Sequence, residues 1–97
     1  MPRFHLLLDP RAEADARAAF LWYAERSAVA AADFESVLAK SIEDLGETGL
    51  VWPEKEAGIR ARVLEKYPYT LMYRVKDDEV LVLAIAHQKR RPGYWKK

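Results

Sequence analysis

The sequence predicts an α+β protein in which two helices cover one face of an antiparallel sheet. Three observations carry this prediction: a short alternating segment at the start, two consecutive segments with apolar residues at helical spacing, and three alternating segments near the end. The predicted element order is β-α-α-β-β-β. The 97 residues are expected to form a single domain over 1–97, and a composition 51% hydrophobic and 32% charged is typical of a globular protein.

The first strand and first helix are predicted from the opening 26 residues. Residues 3–8 alternate polar and apolar side chains and are typical of a strand. Asp9 and Pro10 then suit the N-cap and first position of a helix that we expect to end near residue 26. Leu21 and Trp22 lie off its apolar stripe and indicate a second contact surface. The stripe consists of Ala12, Ala16, Ala19, Phe20 and Tyr23.

A second helix is predicted directly after the first. Ser27 is a suitable N-cap, and apolar residues at helical spacing continue to Leu45. Gly46 is expected to end this helix. Because the connection is so short, the two helices are expected to form an antiparallel hairpin.

Three strands are predicted in the second half of the chain. Residues 59–64 and 69–75 alternate apolar and polar side chains, whereas residues 80–87 are apolar on both faces, as in a central strand. The charged residues 76–79 are expected to form the hairpin turn before the last strand. Residues 46–58 contain three glycines and are interpreted as a loop around Trp52.

Composition excludes several chemistries. The chain has no cysteine, so disulfides, thiol nucleophiles and zinc ribbons are excluded, and its two histidines cannot alone form a multi-histidine metal site. We therefore expect no metal and no cofactor. The apolar run at 80–86 is far shorter than the roughly 20 residues that span a membrane. No secretory signal is recognised, and a cytoplasmic protein without membrane contact is expected.

Charge is divided unevenly along the chain. Residues 1–57 carry six basic and eleven acidic side chains, whereas residues 58–97 carry ten basic and four acidic ones. A basic half on a protein of net charge +1 indicates either an anionic partner or a solvated tail that aids solubility.

Two motifs resemble the RelE/ParE superfamily of bacterial toxins from type II toxin–antitoxin modules, also known as plasmid stabilisation proteins. Residues 67–75 (YPYTLMYRV) are similar to the family's aromatic-Pro-Tyr strand that ends in Tyr-Arg. Residues 82–95 (VLAIAHQKRRPGYW) are similar to its C-terminal LAxAHxxRxPxYW pattern. With the helical segment at 14–27 and the element order, the resemblance covers nearly the whole chain.

The resemblance implies a cognate antitoxin that binds the toxin in a heteromeric complex and neutralises it. It also implies one of two targets, because RelE-like members cleave mRNA in the ribosomal A site and ParE-like members block DNA gyrase. These are different functions on one fold. A degenerate toxin that only binds its antitoxin is a third alternative.

The endoribonuclease alternative assigns specific residues. Metal-free RNA cleavage requires deprotonation of the 2′-hydroxyl, stabilisation of the phosphorane charge and protonation of the 5′-oxygen. If the chain is such an enzyme, the candidate catalytic residues are Arg60, Arg74, His87, Arg90 and Tyr94. Further candidate binding residues are Arg62, Lys89, Arg91 and Trp95.

The expected geometry of these residues follows from strand alternation. Arg60, Arg62 and Arg74 are opposed in parity to the apolar residues of their strands and are expected to share one sheet face, where they could hold a phosphate. His87 could act as acid or base near neutral pH, and Tyr94 could stack on a base or donate a proton. The alternative is structural: arginines on the polar side of a half-buried sheet, a hydrogen-bonded histidine, and a Tyr94 that packs back over the sheet.

Missing residues favour the gyrase alternative. The strand at 59–64 has no acidic residue to act as a carboxylate base, and Glu54 and Glu56 lie in the preceding loop. The lysine-rich loop of some ribosome-dependent members is reduced to Lys55. The sequence therefore predicts a ParE-like toxin that acts by binding gyrase rather than by cleaving RNA.

Overall fold

A hairpin of two helices packs on one face of a five-stranded mixed sheet in the computed structural model, which describes residues 3–89. The predicted α+β class is confirmed, and the last three strands form the predicted antiparallel meander. The elements are β1 (His5–Leu8), α1 (Pro10–Ala24), α2 (Ala28–Thr48), β2 (Glu54–Glu56), β3 (Ile59–Val63), β4 (Tyr69–Lys76) and β5 (Glu79–His87).

The strand order in the sheet is β1-β5-β4-β3-β2. β1 runs parallel to β5, and all other neighbouring pairs are antiparallel. β5 therefore lies between β1 and β4, as its apolar character on both faces predicts. β1 pairs with only the first four residues of β5, ending at Leu8 opposite Val82, because α1 begins at Pro10. Beyond Val82, the outer edge of β5 faces α1.

Both helices begin at the predicted caps. The Asp9 carboxylate accepts a hydrogen bond of 2.8 Å from the Arg11 N–H, and Pro10 occupies the first turn. The Ser27 hydroxyl accepts one of 3.1 Å from the Ala30 N–H. These side chains satisfy backbone donors that have no partner within their helices.

The second helix continues past its predicted end. Gly46 lies inside α2, which ends at Thr48, so the expectation that Gly46 stops the helix is wrong. Its carbonyl oxygen accepts a 2.8 Å hydrogen bond from the Phe4 N–H. A Cβ at Gly46 would lie 3.2 Å from a guanidinium nitrogen of Arg3. The glycine therefore permits the chain entering β1 to approach the helix closely.

One strand has no apolar alternation in the sequence. Residues 54–56, which the sequence predicts to be loop, form the edge strand β2. All three have charged side chains and are exposed. The turn to β3 requires a left-handed conformation at Gly58, whose φ is +75°. The Gly58 N–H donates a 2.8 Å hydrogen bond to the Glu54 carboxylate. Backbone pairing, rather than side-chain burial, thus holds β2.

The core lies between the helices and the sheet. Phe34 and Leu45 of α2 meet Leu71 of β4 and Val82 of β5, and all four are buried. Tyr73 is also fully buried, and its hydroxyl donates a 2.7 Å hydrogen bond to the Gly49 carbonyl. Neither helix in the described part of the chain is long and apolar enough to cross a membrane.

Candidate functional site

Arg62 lies on the sheet face that the helices cover. Its cross-strand neighbour on β4 is the buried Leu71, and directly opposed residues of a sheet share a face. The Arg62 guanidinium donates hydrogen bonds to the Ser41 carbonyl at 3.1 Å and to the Asp44 carboxylate at 2.6 Å. It also lies 4.6 Å from the centre of the Trp52 ring. The side chain is only 16% exposed, so its contacts are with the protein itself.

Arg60 lies on the same face, opposite Tyr73. Its guanidinium donates to the Trp52 carbonyl at 2.7 Å and to the Leu50 carbonyl at 3.3 Å. Arg60 attaches the connection between α2 and β2 to the sheet, and Arg62 attaches α2 itself. Two of the candidate phosphate-binding cations therefore make intramolecular contacts.

Arg74 lies on the opposite face of the sheet. It follows the buried Tyr73 in β4, and successive strand residues point to opposite faces. Arg74 is exposed and pairs with Leu81. The expectation that Arg74 shares a face with Arg60 and Arg62 is wrong, because the register places these two arginines opposite the buried residues of β4.

His87 is also distant from Arg74. It ends β5 opposite Tyr69, which lies five residues from Arg74 in β4. At about 3.4 Å per residue, this separation is about 17 Å along the strand. The His87 ring contacts Tyr69 edge-on at 5.1 Å, and its Nδ1 accepts a 3.1 Å hydrogen bond from the Lys89 N–H. The neutral ring consequently carries its proton on Nε2.

Four candidate residues lie outside the described residues 3–89. The structure describes Lys89, which is exposed just after β5, but it does not describe Arg90, Arg91, Tyr94 or Trp95. Within residues 3–89, no cluster of three or more acidic or histidine side chains is arranged to bind a metal ion.

The sequence did not predict a pocket between α1 and the end of β5, which we call the α1–β5 pocket. Its volume is about 400 Å³. Trp22 and Tyr23 from α1 face Tyr69 and His87 from the sheet, and the Asp15 carboxylate accepts a 3.0 Å hydrogen bond from the Ile85 N–H. Asp15 therefore binds the edge of β5 where β1 has ended. The complete lining is Asp15, Ala18, Ala19, Trp22, Tyr23, Pro68, Tyr69, Ile85 and His87.

A second cavity, which we call the interhelical groove, lies on another side of α1. It has a volume of about 450 Å³ and lies between the two helices. Arg17 of α1 and Glu35 of α2 are its two charged lining residues, and the remainder of the lining is apolar. That apolar lining consists of Leu8, Ala16, Phe20, Phe34, Leu38, Ala39 and Ile42.

A polar contact fixes the loop between β3 and β4 to α2. The Tyr67 hydroxyl donates a 2.5 Å hydrogen bond to the Asp33 carboxylate, which also lies 2.9 Å from the Lys66 ammonium. The hydrogen bond to Asp33, together with desolvation, raises the pKa of Tyr67 to about 12. The Tyr67 hydroxyl and then Lys66 lower the pKa of Asp33. The contact fixes Tyr67 within an aromatic cluster that includes Tyr23 and Phe34.

Comparison with solved structures identifies the fold as that of a toxin–antitoxin protein. A structure described as the chromosomal ParDE TA system from P. aeruginosa matches with a TM-score of 0.78 and 22% sequence identity, over 88% of this chain and 96% of that chain. No curated protein sequence gives a significant match.

A family model resolves the relationship more finely. The model described as "ParE toxin of type II toxin-antitoxin system, parDE" matches residues 6–92. The chain belongs to this ParE toxin family, and it is the toxin component of a type II toxin–antitoxin system. The resemblance of the two sequence motifs to the RelE/ParE superfamily is thereby confirmed.

Proposed function

We propose that this toxin arrests growth by binding DNA gyrase and that a cognate antitoxin neutralises it. The observation that carries the proposal is the separation of the three candidate catalytic residues that the structure describes, Arg60, Arg74 and His87. Arg60 is bound to the connection after α2, Arg62 is bound to α2 itself, Arg74 lies on the other face, and His87 lies about 17 Å along the strand from Arg74. The proposal requires a cytoplasmic location, because gyrase acts on the bacterial chromosome.

Phosphoryl chemistry would require the candidate groups to converge on one phosphate, and the separation of Arg60, Arg74 and His87 supports an action by binding instead. A metal-free ribonuclease needs an acid, a base and cations within hydrogen-bond distance of one phosphate. A protein that acts by binding needs only a surface complementary to its target. Membership of the ParE family supports this second kind of action.

Two assays on the purified toxin test the proposal. We expect the toxin to inhibit supercoiling of relaxed plasmid DNA by gyrase and to leave mRNA 5′ ends unchanged in a reconstituted translation reaction. Ribosome-dependent cleavage would overturn the proposal and make the chain an mRNA interferase. Arg74→Ala would then lower the cleavage rate roughly 10²-fold or more, as loss of a transition-state donor does. Inactivity in both assays would identify a degenerate toxin that only binds antitoxin.

We assign antitoxin binding to the interhelical groove. Its apolar floor and its two opposite charges, Arg17 and Glu35, suit the apolar face of an amphipathic helix with charged flanks. Ala39 is exposed and lines the groove, whereas Ala32 is exposed on the same helix and lines neither cavity. We expect Ala39→Glu to weaken antitoxin binding at least 10-fold and the matched variant Ala32→Glu to leave it unchanged. Equal affinities for the two variants would contradict the assignment.

A further inference from the structure

The α1–β5 pocket has the composition of a protein–protein binding site. Trp22 and Tyr23 on one side and Tyr69 on the other provide three aromatic walls. Tryptophan, tyrosine and arginine are the residues enriched where binding energy is concentrated. Trp22 is 50% exposed, although a side chain of this size normally gains stability by burial.

The walls of the pocket are held in place before any partner binds. The Arg26 guanidinium stacks 3.7 Å from the centre of the Trp22 ring and donates a 2.6 Å hydrogen bond to the Trp22 carbonyl. The ring centres of Tyr23 and Phe34 lie 5.1 Å apart, and those of Tyr69 and Phe34 lie 5.5 Å apart. Rigid side chains lose little conformational entropy on binding, which favours affinity.

The charges around the pocket favour an acidic partner. Arg26 stacks on the Trp22 wall and lies 3.5 Å from the Glu25 carboxylate, and the exposed Lys89 comes two residues after His87. Asp15 is the acidic lining residue, and its carboxylate accepts the Ile85 N–H. Residues 89–97, which follow β5 in the sequence, include five lysine or arginine residues and no acidic residue. A segment that carries carboxylates beside an apolar anchor would therefore be attracted to this edge of the molecule.

The pocket and the interhelical groove use different residues of α1. Asp15, Ala18, Ala19 and Trp22 line the pocket, whereas Ala16, Arg17 and Phe20 line the groove. No described residue of α1 lines both. Single substitutions can therefore alter one surface and leave the other intact.

We propose, on the basis of the function proposed above, that the α1–β5 pocket is where the toxin binds its target protein. The target inserts an aromatic or aliphatic side chain between Trp22 and Tyr69, and flanking carboxylates meet Arg26 and Lys89. The pocket volume of about 400 Å³ accommodates one large side chain with room for its neighbours. Target binding and antitoxin binding then occur on separate surfaces of α1.

Three alanine-to-glutamate variants of the full chain test this proposal. Ala18→Glu fills the pocket and adds a negative charge, Ala39→Glu alters the groove, and Ala32→Glu is the matched control. Ala18 is exposed on a helix, so the substitution is compatible with the fold. We expect Ala18→Glu to raise the toxin concentration needed for half-inhibition of gyrase at least 10-fold and to change antitoxin affinity less than 3-fold. Ala39→Glu should weaken antitoxin binding at least 10-fold and change the half-inhibitory concentration for gyrase less than 3-fold.

A second pair of variants removes contacts instead of blocking the pocket. Trp22→Ala should raise the half-inhibitory concentration at least 10-fold, as truncation of an interface anchor does. Val29→Ala is its control, because Val29 is 81% exposed and lines neither cavity. Lys89→Glu should weaken inhibition most at low salt, because exposed charges are screened as ionic strength rises.

The outcomes separate this proposal from the gyrase proposal. Inhibition by Ala18→Glu and Trp22→Ala within 3-fold of the wild type would overturn the pocket assignment while gyrase remained the target. A loss of antitoxin binding as large as the loss of gyrase inhibition, in both variants, would also overturn it. If the wild-type toxin does not inhibit gyrase, the gyrase proposal fails. The pocket assignment is then tested by comparing the growth arrest caused by the wild type with that caused by the pocket variants. Relief of arrest by both pocket variants would then support it, and undiminished arrest would refute it.

Discussion

Replacement of Tyr73 by phenylalanine removes one buried hydrogen bond while leaving the aromatic ring in place. The Tyr73 side chain is 0% exposed, and its hydroxyl donates to the Gly49 carbonyl at 2.7 Å. In the variant, this carbonyl lies at the buried end of α2 without its side-chain donor. A lost hydrogen bond of this kind costs about 1 kcal/mol, and a buried acceptor left unpaired costs about 1–3 kcal/mol.

We expect Tyr73→Phe to lower the free energy of unfolding by about 2 kcal/mol. For a domain of this size, each kcal/mol changes Tm by roughly 4–8 °C, so Tm should fall by about 8–16 °C. Thermal and urea unfolding of the purified toxin, followed by circular dichroism, would measure both quantities. Gyrase inhibition at 25 °C should persist, because Tyr73 lines neither the pocket nor the groove.

Tyr23→Phe is the appropriate control. Tyr23 keeps its ring contacts with Phe34 and Tyr67, and its hydroxyl makes no hydrogen bond to another residue in the range 3–89. Its Tm should change by less than about 3 °C. A similarly small change in Tm for Tyr73→Phe would refute the prediction, since it would mean that the hydrogen bond from Tyr73 to the Gly49 carbonyl contributes little to stability.

Further predictions concern Arg62, two glycines and alkaline pH. Arg62→Ala should destabilise the fold by about 2–3 kcal/mol in urea unfolding, because Asp44 loses a largely buried partner, whereas the exposed control Arg74→Ala should have little effect. Gly49→Ala should cost about 1–3 kcal/mol, since its Cβ would lie 3.0 Å from a Val80 methyl carbon. Gly46→Ala should cost less, because the flexible end of an arginine can move away. The pKa of the Tyr67 hydroxyl is about 12 in the folded state, against an ordinary value of 10.0, so the folded protein holds this proton more strongly than the unfolded chain does. The protonated hydroxyl therefore contributes its full stabilisation below pH 10, and this stabilisation is lost as the pH rises through 12. In urea unfolding over that range, Tyr67→Phe should lose stability with pH less steeply than the wild type, and equal slopes would contradict the assignment.

The starts of both helices and the central position of β5 could be predicted from local chemistry. Asp9 with Pro10, and then Ser27, mark the helix starts because short polar side chains satisfy backbone N–H groups there. The apolar character of β5 on both faces predicts its position between two neighbouring strands. Such signals are readable because each depends on residues close together in the chain.

The faces of β3 could not be predicted in the same way. Alternation gives the period of a strand but does not identify which face the helices cover. Arg60 and Arg62 lie on the covered face because their long side chains reach the Trp52 carbonyl after α2 and the Ser41 carbonyl within α2. The position of the Trp52 carbonyl depends on where α2 ends, which the sequence placed two to three residues too early.

The α1–β5 pocket was beyond prediction for a related reason. The sequence showed that Trp22 lies off the apolar stripe of α1, which indicated a second contact surface. It did not show that β1 pairs with only part of β5, so that α1 passes beside the remaining edge. That arrangement joins residues more than 60 positions apart and has no local signature.

The parallel pairing of β1 with β5 affects how the protein folds during synthesis. β1 is translated before β5, yet its only strand partner in the described part of the chain is β5. Until β5 has been translated, β1 has no ladder to join, and Phe34 and Leu45 have no Val82 to pack against. Contacts between distant parts of a chain also form slowly, because closing long loops is entropically unfavourable. The nascent toxin therefore remains without its completed sheet, and without the edge of β5 that borders the α1–β5 pocket, until β5 has been translated.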